Sequence, residues 1–302
     1  MTRRGLLLFI MMSLVWGIPY LLIRVAVAEI EPAVLVLART GIATLVLLPI
    51  ALIRVDLRPI LARWRWVVAF ALVEVAVPWV LLSSAEQHLS SSLSGLLVSG
   101  VPLVGALIAI VSGGSDRLGR TGLLGLLIGL VGVVAIVGGD LHTSDLGSLI
   151  EIGVVVIGYA LGPAILARRL QGLPAVGVMA LSLGLSALIY IPLGALQWPT
   201  AVPSVDVFVA LAILGLVCTA VAFIGFAALI DEVGPVRATV VTYVNPAVAA
   251  ILGVVILNES FTLPMALGLG LVILGSTLAT RLGRAPAMPE PGAEILETEA
   301  AT

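Results

Sequence analysis

Apolar residues run along this chain in long uninterrupted segments, at about residues 6–28, 33–53, 66–85, 92–112, 121–139, 146–167, 174–196, 205–230, 235–257 and 262–281. A helix of about 20 apolar residues crosses the hydrocarbon core of a bilayer, so each segment predicts a transmembrane helix. Polar or helix-breaking residues punctuate them at Glu31-Pro32, Gly113-Gly114, Gly172-Leu173-Pro174, Pro199 to Pro203, and Gly234-Pro235. The connections are short, which predicts a bundle of neighbouring antiparallel helices. From Arg284 onward the chain is rich in Pro, Ala and Glu, and residues 284–302 read as a disordered tail. The pattern predicts an all-α membrane protein with ten transmembrane helices.

Composition removes the alternatives. Of 302 residues 61% are apolar and 11% charged, against about 25% charged in soluble proteins, and the mean hydropathy is +1.24. A soluble domain and a large extramembrane domain are both excluded. All fifteen basic residues are Arg, so a P-loop, a pyridoxal Schiff base and a Ser-x-x-Lys hydrolase each lack their Lys. Cys218 is alone, which excludes an intrachain disulfide and a Cys-based zinc site. His88 and His142 are too far apart to share a helix face, and a net charge of −2 offers nucleic acid no basic surface. No catalytic residue, cofactor or metal is expected.

Arginine placement tests the helix count. With a cytoplasmic N-terminus, the inner segments hold Arg3, Arg4, Arg54, Arg58, Arg63, Arg65, Arg117, Arg120, Arg168, Arg169, Arg237, Arg281 and Arg284. The outer loops hold none, as the positive-inside rule requires. Acidic residues occupy the outer connections instead: Glu29, Glu31, Glu86, Asp140, Asp145, Asp206 and Glu259. Trp64, Trp66 and Trp198 fall near the predicted interfaces. Both termini are therefore expected to be cytoplasmic. Arg3-Arg4 followed by an apolar run resembles a secretory signal, but the run from Leu6 to Ile23 exceeds the usual apolar core of one, and an uncleaved first helix is expected.

A shift of 144 superimposes Pro19 on Pro163, Arg24 on Arg168, Trp79 on Phe223, and Pro102 on Pro246; at 143, Gly125 and Gly132 meet Gly268 and Gly275. Each half would hold five helices. An odd number makes the second copy enter the membrane from the opposite side, so two inverted five-helix repeats are predicted, with a site between them near the midplane.

The residues carrying the repeat also resemble a known family. Helix one has Leu14-Val15-Trp16-Gly17 followed by basic Arg24; helix two has Pro32, then Leu37-Ala38-Arg39. Helix four has Ser94-Gly95-Leu96-Leu97 before Pro102. Helices nine and ten carry Thr242-Tyr243-Val244-Asn245-Pro246, Leu257-Asn258-Glu259, Leu267-Gly268 and Gly275. In this order they resemble the drug/metabolite transporter superfamily, in its EamA-like ten-helix branch, over the chain as far as about residue 284. The resemblance implies EamA-like repeats at residues 1–140 and 146–283, ahead of a cytoplasmic tail at 284–302. It also implies a bacterial inner-membrane permease, often an exporter of amino acids or other small metabolites. Arg24 stands where that family often has Lys.

Charged residues within helices cost about 2.5–3.5 kcal/mol each on insertion scales, so they face a cavity or a partner. Glu74 lies near the middle of its helix and is the expected contact for a cationic group or a coupling proton, with a fixed pair to Arg39 as the rival. Arg24, Arg39 and Glu151 lie nearer helix ends, where snorkelling or a structural ion pair competes with a binding role. Trp16 and Tyr20, spaced i, i+4, share a helix face and would suit a cavity wall with Tyr243 and Asn245; core packing is the rival. The expected substrate-binding set is Glu74, Trp16, Tyr20, Arg39, Trp79, Tyr243 and Asn245, in a cavity lined by helices one, three, four, six, eight and nine. Prolines 19, 78, 102, 163 and 246 each free a carbonyl mid-helix. Gly125 and Gly129 predict close helix packing within the monomer or a dimer, and the serines at 90–92 predict an N-cap. The leading reading is a secondary transporter of a small-molecule solute, with protons as a candidate coupling ion and lipid as its surroundings. The alternative is a polytopic membrane enzyme acting on a lipid or peptide bond, and a non-transporting scaffold ranks third.

Overall fold

The computed structural model describes residues 2–111, 120–138, 145–233, 238 and 241–280. Arg117, His142, Arg237, Arg281 and Arg284, the Gly114-Ser115-Asp116 turn and the tail from 284 lie outside the described residues, as does the start of the ninth apolar segment.

The described residues are helical with no strand. The spans are α1 (Arg3–Ala26), α2 (Pro32–Arg54), α3 (Trp64–His88), α4 (Ser91–Val98 and Val101–Val111), α5 (Arg120–Gly138), α6 (Leu146–Arg169), α7 (Ala175–Leu196), α8 (Val205–Val233), α9 (Val241–Leu257) and α10 (Leu263–Thr280). The first eight are long and apolar enough to cross a membrane, and α9 and α10 are shorter apolar helices. Large apolar side chains such as Leu45, Leu188 and Val255 are more than 60% exposed, which suits hydrocarbon rather than water.

Packing follows the repeat. Helices α2, α4 and α5 pack on α7, α9 and α10, their own counterparts. The remaining major pairs exchange under the same swap: α3–α6 with α1–α8, α2–α8 with α3–α7, and α1–α9 with α4–α6. A second signature is local. Residues Ala71–Ala76 of α3 and Ile213–Val221 of α8 form wide π-helical turns at equivalent places. The fold is two inverted five-helix repeats whose described helices pack against one another.

Helix breaks follow from the sequence in two places. Pro19 has no N–H, and α1 is interrupted at Trp16 and Gly17, where the Gly17 amide bonds Leu14 instead of Ser13. Pro102 accompanies a break at Ser99 and Gly100 in α4. Pro163 and Pro246 sit within helices that continue past them.

Tethers at each end of the bundle join only elements that ten crossings would bring to the same side. At one end the Thr2 hydroxyl donates to Glu232, and Arg63 donates to the carbonyls of Arg169 (3.1 Å) and Gln171 (3.2 Å). The Arg169 guanidinium lies 4.5 Å from the Trp66 ring, and Trp64 and Trp66 are exposed. At the other end Glu29 accepts from the Ser204 amide (2.7 Å) and hydroxyl (2.6 Å), which hold its carboxyl below the usual carboxylate range. There Asp145 caps α6 by accepting from the Ser148 amide at 3.0 Å, with the same effect on its carboxyl.

The expected glycine contact is intramolecular. A side chain at Gly275 would fall on the Gly129 amide and the Gly125 carbonyl, and one at Gly132 on the Gly268 carbonyl. Gly275→Leu should therefore separate α5 from α10 and destabilise the protein by about 1–3 kcal/mol, as overpacking does. Gly270 has open space around its α-carbon, so Gly270→Leu should leave the detergent unfolding midpoint near wild type.

Candidate functional site

Arg39 is the eighth residue of α2 and only 6% exposed. Its Nε donates to Thr219 Oγ1 of α8 at 3.0 Å. The Thr219 hydroxyl in turn donates to the Leu214 carbonyl five residues earlier, at 2.7 Å, within the π-helical turn. That bond fixes the rotamer and leaves the Thr219 lone pairs facing Arg39. The guanidinium carbon lies 3.7 Å over the Trp79 ring, a cation–π contact worth about 2 kcal/mol when desolvated. Trp79 follows directly on the α3 π-turn and Pro78. One partner of Arg39 thus lies within a π-turn and the other three residues after one. Tyr20, Tyr159, Cys218 and Glu86 lie within electrostatic range of it.

Glu74 sits inside the α3 π-turn against Gly162 of α6, where a side chain would overlap its carboxylate. Its Oε2 is buried without a hydrogen-bond partner, and Tyr159 is within range of its charge. The rival expectation, a fixed pair with Arg39, is not met: Arg39 is not among the groups that act on Glu74. Arg39 is turned toward α8 and Trp79, whereas Glu74 faces α6.

Glu86 corrects another expectation. It belongs to no outer connection, because α3 continues to His88, three residues beyond the apolar run. Glu86 is fully buried, and neither carboxylate oxygen has a hydrogen-bond partner. Glu259, Arg24 and Arg39 lie within electrostatic range of it.

The end of the bundle above this cluster is closed by helix-end chemistry. Arg24 is not snorkelling; it donates to the Glu86 carbonyl and to the Gln87 carbonyl at 3.0 Å, satisfying the last turn of α3. Asn258 adopts φ 54°, in the left-handed region that Asn tolerates, and turns the chain at the end of α9. Glu259 then reaches the start of α4. It accepts from the Ser91 amide (2.8 Å) and hydroxyl (3.1 Å) and the Ser92 amide (2.9 Å) and hydroxyl (2.6 Å). Ser90 caps the same turn through the Leu93 amide at 3.2 Å, as the serine run predicted. Ser84 donates to Glu151 at 2.9 Å, tying α3 to α6. A cavity of about 320 Å³ opens at this end among α2, α3 and α7, lined by residues that include Glu31, Ser84, Gln87 and Tyr190.

The remaining predicted residues divide. Tyr20 is buried with its ring beside Gly95 and within range of Arg39, Glu86 and Tyr159. Trp16 packs on Phe226 at 4.6 Å and Phe223 at 6.2 Å between ring centroids. With its nitrogen turned toward acceptors, the Asn245 amide donates to the Val241 carbonyl (2.9 Å) and the Ser13 carbonyl (3.2 Å). Trp16 and Asn245 therefore hold α1 against α8 and α9 around its break. Tyr243 is partly buried on α9. The structure gathers Tyr20, Arg39 and Trp79 and sets Glu74 beyond Tyr159. This polar cluster draws on α1, α2, α3, α6 and α8, so α2 joins the expected lining and α4 and α9 give it no charged member. Sequence reasoning missed Glu86, Tyr159 and Thr219. The repeat held one signal: a shift of 144 carries Glu74 onto Cys218, the neighbour of Thr219.

The sequence profile of the EamA-like transporter family matches the chain twice, over residues 3–138 and 148–281. The chain is 30% identical over 276 residues to the uncharacterized inner membrane transporter YedA of Escherichia coli K12, covering 88% of this chain and 87% of that one. YedA of Escherichia coli O157:H7 matches with the same values. A solved crystal structure at 21% identity superposes with a TM-score of 0.66 over 94% of this chain and 99% of the other, a likeness of fold.

Replacing Glu259 should loosen the closed end. Glu259→Ala leaves the first amides of α4 without their acceptor and should cost about 1–3 kcal/mol. Detergent unfolding would show the loss, and Glu259→Asp should restore part of it.

Proposed function

The chain belongs to the EamA-like transporter family, and we propose that it is a secondary transporter exporting small organic metabolites such as amino acids across the bacterial inner membrane. The observation that carries this reading is the incompletely partnered charge between the two halves. Arg39, Glu74 and Glu86 are embedded in helices, and none is in an ion pair among the described residues. Such groups in a membrane mark solute or ion pathways, because a purely structural role would neutralise them. The family is one of transporters, which favours carriage over chemistry on a lipid or peptide bond.

Residues 1–140 and 146–283 act as the two repeats, and alternating access is their rocking about the polar cluster. Trp16, Tyr20, Arg39, Trp79, Tyr243 and Asn245 belong to the lining or its immediate support. Glu74 engages a cationic substrate group or a coupling proton, since a carboxyl held against α6 with its Oε2 buried and unpartnered is sensitive to whatever charge arrives beside it. Both termini and the 284–302 tail face the cytoplasm.

Two measurements test this. In proteoliposomes loaded with amino acids, amines or nucleosides, with and without a pH gradient, Glu74→Gln should insert and fold normally. Its transport should fall about 10- to 100-fold, the worth of a charged hydrogen bond, or lose its pH dependence. Full transport with unchanged pH dependence would remove Glu74 from the pathway. Reporter fusions after residues 142 and 290 should give periplasmic activity at the first and cytoplasmic activity at the second. The reverse pattern would invert the topology.

A further inference from the structure

We propose that Arg39 and Glu86 form a two-charge recognition site for a zwitterionic amino acid, Arg39 taking its carboxylate and Glu86 its ammonium group. The proposal rests on the transport reading above; with the amine on Glu86, Glu74 keeps the coupling-proton role of the two named there.

Arg39 is held from two sides, by Nε on Thr219 and by the Trp79 face. Its terminal nitrogens make no hydrogen bond among the described residues. A guanidinium fixed at Nε and on its face presents a planar fork, the geometry that takes a carboxylate through two parallel hydrogen bonds. Glu86 is the complement. Both of its oxygens are buried and unpartnered, and an ionised carboxylate accepts only. An ammonium group brings three donors.

The two charges are within electrostatic range yet do not form an ion pair. Other ties keep them apart. Thr219 and Trp79 hold the guanidinium, and Arg24 holds the main chain of Glu86 by its carbonyl. Neither of the other charges near Glu86 hydrogen-bonds its carboxylate: Arg24 keeps its charge but donates to α3 carbonyls, and Glu259 accepts from four donors of α4. Tyr20 and Tyr159 lie within electrostatic range of both groups. A solute with only one charge would leave the Arg39 fork or the buried Glu86 oxygens without a hydrogen-bond partner, so a zwitterion is selected over its amine and its acid. The pair lies beneath the closed end of the bundle, and parting α3 from α1 and α4 would expose it.

The test uses the purified full-length protein in detergent and reads ligand-induced thermal stabilisation. The twenty L-amino acids are screened first. Each one that stabilises is compared with its decarboxylated amine and its 2-oxo acid, for leucine isoamylamine and 4-methyl-2-oxopentanoate. At least one amino acid should stabilise, with both derivatives about tenfold weaker or more. Arg39→Lys keeps the charge but loses the fork and should weaken the amino acid to the level of its amine. Glu86→Gln keeps the shape and should weaken the amino acid while the oxo acid binds at least as tightly as to wild type. These comparisons are made only on variants whose unliganded melt matches wild type, and the wild-type ligand series needs no variant. An amine that binds as well as its amino acid overturns the role of Arg39. An oxo acid that binds as well overturns the role of Glu86, as does a Glu86→Gln protein that keeps amino-acid binding. If no amino acid stabilises but proteoliposomes carry another solute, this site assignment falls and the transport reading stands. If proteoliposomes carry nothing, both fall.

Discussion

Hydrocarbon offers no hydrogen bonds, so a carbonyl or amide released by an irregular turn must be met from elsewhere in the chain. In this protein the irregular turns fall in α1, α3, α4 and α8, and their partners come largely from other helices. The Ser13 carbonyl, left by the break at Gly17, is taken by Asn245 of α9. The Ala76 carbonyl at the end of the α3 π-turn accepts from the Tyr190 hydroxyl of α7 at 2.9 Å. In α8 the Leu214 carbonyl is met by Thr219, whose oxygen then accepts from Arg39 of α2. Two of these ties cross between the repeats, and so does the last link of the third. The requirement that makes broken helices costly in a membrane also stitches the two halves together.

The polar cluster follows from the same turns. A π-helical turn rotates the side chains that follow it relative to a regular helix. In α3 it carries Glu74 and precedes Trp79; in α8 it carries Cys218 and Thr219. Helix α2 runs between them and inserts Arg39 into the gap. Aromatic face and hydroxyl oxygen hold the guanidinium without neutralising it. A carboxylate in the same place would pair with it and remove its charge from use.

The two ends of the bundle repeat one arrangement with opposite chemistry. Glu29, in the α1–α2 loop, receives the amide ahead of α8; Arg63, ahead of α3, donates to carbonyls at the end of α6 and in the α6–α7 loop. Under the exchange of halves these are corresponding places. Inversion turns the same joint toward opposite faces of the membrane, where acidic and basic residues segregate. An acid meets free amides on one face and an arginine meets free carbonyls on the other. Glu259 on the first turn of α4 and Arg24 on the last turn of α3 are further cases of charge matched to a helix end.

The ten spans, their punctuation and the duplicated five-helix order were legible in the residues, because uninterrupted apolar length and arginine asymmetry are local properties that a bilayer reads directly. Pro19 and Pro102 announced breaks for the same local reason. Tertiary structure decided what each polar residue touches. For Trp16 and Asn245 the sequence left cavity wall and core packing both open, and tertiary structure adds their contacts around the α1 break. A fixed pair with Arg39 was the rival reading of Glu74, yet Arg39 bonds Thr219 in the α8 π-turn while Glu74 in the α3 π-turn packs on Gly162, and no propensity in Ile213–Val221 or Ala71–Ala76 foretold those turns. Glu86 read as a loop residue because the apolar run stops at 85, and only the packing of other helices around the end of α3 buries it. Hydrophobic length fixes where a chain enters and leaves the membrane. Which buried charges remain unsatisfied depends on side-chain directions set by contacts more than a hundred residues apart, and those exist only once the two halves interlock.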